Sequence, residues 1–246
     1  MGGRARGTAD VKDRILHRWQ ALVADVGGQR IALLYVLHRL LDKISGGRIG
    51  IVPYRLVAQP IGNPALATVR LDAGTVVCRI APDDPVIDSF TRPRDVIERR
   101  FAAGSECFVA FVKGEFAGHI WIARDRYVED EVRCTYRLAN PTTGRWDYDV
   151  YVQPAHRLGR TLSRLWKAVD DTLMAEGTTW SFSRINRFNP ASIRSHERLG
   201  AVAVGDLVVL RLAGAQFNLR RGADARWQAG WRAPELTLSA PNTQEK

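Results

Sequence analysis

Apolar residues recur at helical spacing from the first part of the chain onward. Val11, Ile15, Trp19, Leu22 and Val26 lie four or three apart, Lys12, Asp13, Arg14 and Arg18 occupy other faces, and Gly27-Gly28 ends the pattern. A second segment, Arg30 to Ile44, carries the apolar run Ile31 to Leu37 and then His38, Arg39, Asp42 and Lys43 before Gly46-Gly47. The spacing predicts two amphipathic helices that pack on the main core rather than lie on a membrane.

The period then shortens. Residues 49 to 80 read as extended, interrupted by Pro53, Pro60 and Pro64, with TVVCRI (75 to 80) as a strand. After the turn-rich APDDP, a short helix is expected from Pro93 to Ala103. CFVAFV (107 to 112), a turn at Lys113-Gly114 and FAGHIWIA (116 to 123) predict a β-hairpin. Further strands are expected at Glu131 to Leu138, Trp146 to Val152, Trp180 to Ile185 and Leu207 to Leu212. Helices are expected between the last three, one with the stripe Leu162, Leu165, Trp166, Val169 and Leu173 and one from Pro190 to Leu199. After Gly214 the periodicity fades, so the reading divides into a basic N-terminal extension (1–74), an α+β core (75–214) and a C-terminal tail (215–246).

Composition narrows the class. The 246 residues are 46% hydrophobic and 25% charged, ordinary for a globular chain. No apolar run reaches the ~18 residues of a spanning helix, and MGGRARGTAD has no apolar signal core, so a cytoplasmic protein is expected, with peripheral membrane contact as the alternative. Cys78, Cys107 and Cys134 are widely spaced and read as reduced, buried thiols. The five histidines lack ligand spacing, so no metal is expected. The net charge is +10, and residues 1 to 60 hold ten Lys or Arg against four Asp, which points to an acidic partner: a nucleotide phosphate, nucleic acid, an anionic membrane or an acidic carrier protein.

The densest chemistry lies in WDYDVYVQPAHRLGRTLSRLWKAVDDTL, residues 146 to 173, where a strand runs into an arginine-bearing turn and a helix. A helix start offers unpaired N–H groups and positive dipole to a phosphate. Arg157, Arg160, Arg164 and Lys167 are spaced as a cationic stripe on one helix face. Strand alternation places Asp147, Asp149 and Tyr151 on one face and Trp146, Tyr148, Val150 and Val152 on the other.

The order of elements over roughly residues 75 to 212 resembles the GNAT acyltransferase superfamily. Val152, Pro154 and Arg157 match the first part of that family's donor-binding signature. Its expected glycines are replaced by Leu158, Arg160 and Leu162, with Gly159 between them. Asn189, Ser192, His196 and Gly200-Ala201 match a second motif, with His196 where the family often has tyrosine and Ala201 where it has phenylalanine. Asn189 followed by Pro190 is also an ordinary helix start, and Gly200 an ordinary stop.

The resemblance implies a mixed, splayed β-sheet flanked by helices, with acyl transfer from a pantetheine thioester to an amine. It assigns donor binding to Val150, Val152, Arg157, Leu158, Gly159, Arg160, Thr161, Leu162, Asn189 and Ser192. It also implies that the donor enters between strands 146–152 and 180–185. His196 takes the place of the acid that protonates the leaving sulfur, a task within reach of an imidazole. Asp149, then Asp147, are the candidate bases, and His119 is a third.

The implied donor is acetyl-CoA or another acyl-CoA, and the acceptor a small-molecule amine. The lost glycines and the basic helix leave an acyl carrier protein as the alternative donor. A different class is a non-catalytic module that binds nucleic acid or an anionic membrane, with Arg220, Arg221, Arg226, Trp227, Trp231 and Arg232 as its contact residues.

Overall fold

A computed structural model describes residues 4–70, 72–222 and 225–241. In chain order the elements are α1 (Arg4–Val26), α2 (Gln29–Ser45), β1 (Ile49–Pro60), α3 (Pro64–Ala67), β2 (Thr75–Ile80), α4 (Arg94–Ala102), β3 (Glu106–Val112), β4 (Glu115–Ala123), β5 (Arg126–Val128) and β6 (Thr135–Leu138). There follow β7 (Gly144–Val152), α5 (Thr161–Ala175), β8 (Trp180–Asn186), α6 (Pro190–Arg198), β9 (Val202–Leu212), β10 (Ala215–Arg221), β11 (Trp227–Gly230) and β12 (Glu235–Leu238). Short 3-10 turns precede α4 and α5. The molecule is α+β, with a mixed, splayed sheet flanked by helices and helices at the N-terminal side of the chain.

The chain forms two compact units. One consists of the described residues up to Arg55, with Ile185–Ser195 and Asp206–Arg232; the other of Leu56–Arg184, His196–Gly205 and the residues from Ala233 on.

In the larger unit β2, β3, β4 and β7 form an antiparallel run, and β7 then pairs in parallel with β8. The β3–β4 turn follows from its sequence: Lys113 and Gly114 both have positive φ (53° and 83°), as a two-residue hairpin turn of matching twist requires. Helix α5 covers one face. Its stripe Leu165, Trp166, Val169 and Leu173 is at most 2% exposed and packs with Phe108, Ala110, Ile120 and Ile122. On the other face, Trp146 stacks on Tyr136 and Tyr127 of a small sheet in which β6 pairs with β5 and β12.

An ionic network clamps the end of the large sheet where β7 begins. Arg79 bridges Glu106 (3.0 Å) and Glu176 (2.7 Å), Arg124 reaches both carboxylates, and Arg145 lies 3.7 Å from Glu176. At the opposite end β7 and β8 part after three paired positions.

In the smaller unit, Trp19, Leu22, Val23 and Val26 of α1 meet Ile31, Ala32 and Leu34 of α2 together with Phe188. Gly46 ends α2 in the left-handed conformation, its N–H donating to the Asp42 carbonyl. β9, β10 and β11 form an antiparallel meander.

Four expectations change. The strand foreseen from Glu131 is only Thr135–Leu138 and belongs to the small sheet, because Glu129 and Glu131 are drawn into ion pairs with Arg184. The described residues after Gly214 include three strands; β10 alternates a buried Gln216 and Asn218, hydrogen-bonded to each other, where an apolar pattern would have announced a strand. Residues 49–60 form one strand through Pro53, which lacks an N–H but accepts from Arg187 through its carbonyl. Cys78 is exposed, while Cys107 and Cys134 are buried, and all three are free thiols.

Candidate active site

The pairing of β7 with β8 is short. It covers Gly144↔Trp180, Arg145↔Ser181 and Trp146↔Phe182, and beyond that register the two strands part. Val150, Tyr151 and Val152 are half-buried along the edge that β7 leaves unpaired, and Val150 and Leu162 pack on the α5 core cluster.

Three side chains meet where the strands diverge. Asp147, 1% exposed, accepts a hydrogen bond of 2.6 Å from the Ser181 hydroxyl of β8. His196 of α6, 7% exposed, brings its Nε2 to 3.8 Å from the second Asp147 oxygen, and its ring meets Trp166 edge-on at 5.8 Å. One residue beyond the last pair on β8, Ser183 is 3% exposed and its hydroxyl has no hydrogen-bond partner among the described residues. A buried hydroxyl left unpaired is costly unless water or a ligand satisfies it. Sequence reasoning missed both serines; their only signal was the alternation of WSFSRI.

A β-bulge separates Asp147 from Asp149. On β4, His119 faces Tyr151 and Trp121 faces Tyr148, so the single residue Ile120 opposes both Asp149 and Val150. Asp149 takes φ 48° to make this possible. Gly118 beside the bulge admits the close approach: a Cβ there would lie 2.4 Å from the Tyr151 carbonyl oxygen. The extra residue shifts the alternation. Asp147 and Val150 face α5, whereas Asp149 joins Tyr148 and Tyr151 on the opposite face, which corrects the expected grouping.

On that opposite face Asp149 is heavily engaged. Its Oδ2 accepts from Arg100 at 2.5 Å, lies 3.4 Å from Arg92, and is 3.9 Å from His119 Nε2. Burial pushes the carboxyl up, but the nearby His119 and the Arg100 and Arg92 guanidinium groups hold it well below the usual range. So firmly ionised a carboxylate is a weak proton acceptor, so Asp149 does not suit the base assigned to it first. Arg100 also binds Asp130 at 2.6 Å and stacks on Trp121 and Tyr148. His119 is 1% exposed between Phe90 and Tyr151, a packed position. Beside this cluster lies a cleft of about 440 Å³ whose walls include Val96, Arg100, Ser105, Tyr127, Asp130 and Tyr148.

The turn after β7 differs from the expected cationic stripe. Arg157 folds back and donates to the Val152 carbonyl at 3.0 Å. Arg164 binds Asp72 and donates to the Thr75 hydroxyl at 2.9 Å, and Lys167 pairs with Asp171. Arg160 is exposed at the N-cap of α5 and Leu158 is fully exposed, while Thr161 is buried. Gly159 does not have positive φ and a Cβ there would meet nothing closer than 3.5 Å, so its backbone does not require glycine.

Asn189 caps α6, its side-chain oxygen accepting from Ser192 N–H at 3.1 Å; both belong to the smaller unit. Gly200 closes the helix at φ 75°, with Asn63 donating to the Leu199 carbonyl. In the tail, Trp227 and Trp231 are 51% and 62% exposed, and Arg221 lies over the Trp227 ring. Among the described residues no group of His, Cys, Asp or Glu side chains is arranged to hold a metal ion.

No protein-family model matches the chain, and no curated protein does. Among solved structures, it is similar to a conserved protein of unknown function from Staphylococcus epidermidis, with 16% identity and a TM-score of 0.47 over 71% of this chain and 67% of that one. It is also similar to a protein from Novosphingobium aromaticivorans assigned to the GNAT acetyltransferases, with 17% identity and a TM-score of 0.46 over 65% and 64% of the two chains. A tandem GNAT protein of clavulanic acid biosynthesis shares 16% identity at a TM-score of 0.44; 65% of this chain aligns with 53% of that protein, about half its length. These are partial likenesses of fold, and what the neighbours transfer or bind is a property of those proteins.

Proposed function

We propose that the chain is a GNAT-type N-acyltransferase that moves an acyl group, acetyl in the first instance, from acyl-CoA to a primary amine of small-molecule size. The observation that carries this reading is the parting of β7 from β8 at the buried Asp147–Ser181–His196 cluster. An extended pantetheine arm is a chain of amides, and the strand edge at Val150–Val152 offers it backbone partners in the manner of an added strand. The orphaned Ser183 hydroxyl supplies one more donor or acceptor in the same slot. Arg160, with the first N–H groups of α5 at Thr161 and Leu162, offers contacts to a diphosphate, and Leu158 and Gly159 line that turn.

In the reaction the neutral amine nitrogen attacks the thioester carbonyl, a C–N bond forms and the C–S bond breaks. The attacking nitrogen releases its proton to water, and the sulfur takes one from His196, which solvent reprotonates. Asp147, whose Oδ2 lies 3.8 Å from His196 Nε2, positions the ring. With Asp149 held in ion pairs, it acts by fixing Arg100 and the bulge. The cleft by Tyr148 and Arg100 is the acceptor's place, and Asp130 on its wall offers a carboxylate to an ammonium.

A second reading gives the donor role to an acyl carrier protein. It is favoured by the fully exposed Leu158 beside Arg157 and Arg160, at the turn where a phosphate cradle would otherwise lie. The test is thermal denaturation with acetyl-CoA, a long-chain acyl-CoA, S-acetyl-pantetheine and acyl carrier protein, followed by acyl transfer to a panel of amines. A ligand of the native state raises Tm by mass action. Stabilisation by acetyl-CoA supports the first reading and by carrier protein alone the second; stabilisation by none of the four contradicts both.

A further inference from the structure

Helix α2 is apolar on two sides. Ile31 and Ala32 are buried, and Tyr35 and His38 pack on Phe188, which accounts for the side facing its own unit. A second stripe, Leu33, Leu37, Leu40 and Ile44, with Val36 beside it, is 60%, 42%, 52%, 75% and 47% exposed. The spacing of four, three and four keeps these side chains on one face over about 16 Å of helix. On α1, Ile15 and Leu16 are likewise 62% and 54% exposed. So many large aliphatic side chains in water on one helical hairpin mark a surface that something covers.

The charges around the stripe identify the occupant. By helical spacing Arg30 falls on one flank of the stripe and Arg39 and Lys43 on the other, while Asp42, the only acid of α2, lies on the opposite face. Residues 12 to 48 hold seven Lys or Arg (Lys12, Arg14, Arg18, Arg30, Arg39, Lys43, Arg48) and three Asp (Asp13, Asp25, Asp42), a net charge of 7 − 3 = +4. A second copy of the hairpin would set like charges against each other, whereas a negatively charged lipid surface takes up the aliphatic stripe and pairs with both flanks, the long basic side chains reaching outward to the headgroups. No helix among the described residues is long and apolar enough to cross a membrane, so the hairpin would lie on the surface rather than span it.

We infer that the α1–α2 hairpin is a docking surface for anionic phospholipid membranes, seated through Leu33, Leu37, Leu40 and Ile44 and held by Arg30, Arg39 and Lys43. The inference is independent of the proposed acyl transfer. It is tested by co-sedimentation of the full chain with phosphatidylcholine vesicles and with vesicles containing about 30% phosphatidylglycerol. The expected result is binding to the anionic vesicles that weakens with salt and falls at least about tenfold in L37E/L40E and in R39E/K43E, both keeping the wild-type Tm. Binding no stronger to anionic than to neutral vesicles overturns it, as does binding unchanged in L37E/L40E. So does a lower Tm for L37E/L40E, which would place the stripe inside the fold, or a wild-type dimer by sedimentation that this variant splits into monomers.

Discussion

Two aspartates two residues apart, Asp147 and Asp149, have opposite environments, and the bulge between them is the cause. Asp149 is tied to Arg100, whose side chain is only 6% exposed, so Asp149→Asn would leave that buried guanidinium with Asp130 as its remaining carboxylate and cost roughly 1–3 kcal/mol. The folded-state pKa of Asp149 lies well below its unfolded value, so the ion pair contributes fully above the unfolded carboxylate pKa and is lost as pH falls from there to the folded pKa. The Tm gap between wild type and Asp149→Asn should therefore be widest near neutrality and narrow progressively as pH falls below about 4; a gap constant with pH would contradict the ion-pair account. Ser183→Ala offers a complementary test. Removing an unpartnered buried hydroxyl should leave Tm equal or slightly higher while weakening donor binding. Unchanged donor affinity in calorimetry would remove Ser183 from the slot. His196→Ala should lower the single-turnover chemical rate by about 10² or more with donor affinity nearly intact, and His196→Tyr should recover part of it. Equal rates for wild type and the alanine variant would leave His196 a packing residue against Trp166.

At the scale of elements, most of what could be read from the sequence was periodic. The α5 stripe, the Lys113-Gly114 hairpin and the two N-terminal helices each have a local signal, apolar spacing or turn chemistry, that survives folding. The bulge had none, because Asp149 at positive φ depends on the close approach that Gly118 allows across the sheet, and alternation alone put Asp147 and Asp149 together. The C-terminal strands were illegible for another reason: β10 buries amides rather than aliphatic side chains. The candidate site was legible as positions but not as partners. His196 and Asp147 were both named, yet their meeting, and the serines beside them, required the parting of β7 and β8. The cationic stripe on α5 was a true spacing with spent charges. Arg160→Ala should accordingly weaken donor binding, while Arg164→Ala, which loses Asp72 and Thr75, should lower Tm and affect donor affinity less. Affinity and Tm measured on the same two variants separate these roles, and the reverse pattern would move the phosphate contacts further along the helix.

For the molecule as a whole, the large sheet is clamped by Arg79, Glu106, Arg124, Arg145 and Glu176 at the end where β7 begins and open where β7 and β8 diverge. That asymmetry gives a slot beside a histidine–carboxylate pair, and the central claim is that a pantetheine thioester lies in it. Amide hydrogen exchange, followed residue by residue with and without S-acetyl-pantetheine and acetyl-CoA, examines the claim where it is made. A donor that pairs with the β7 edge should slow exchange at Val150–Val152 and at Ser183, with both compounds, and acetyl-CoA should add protection at Arg160–Leu162. Donor binding that leaves Val150–Val152 unprotected, or no binding of either compound, would contradict it.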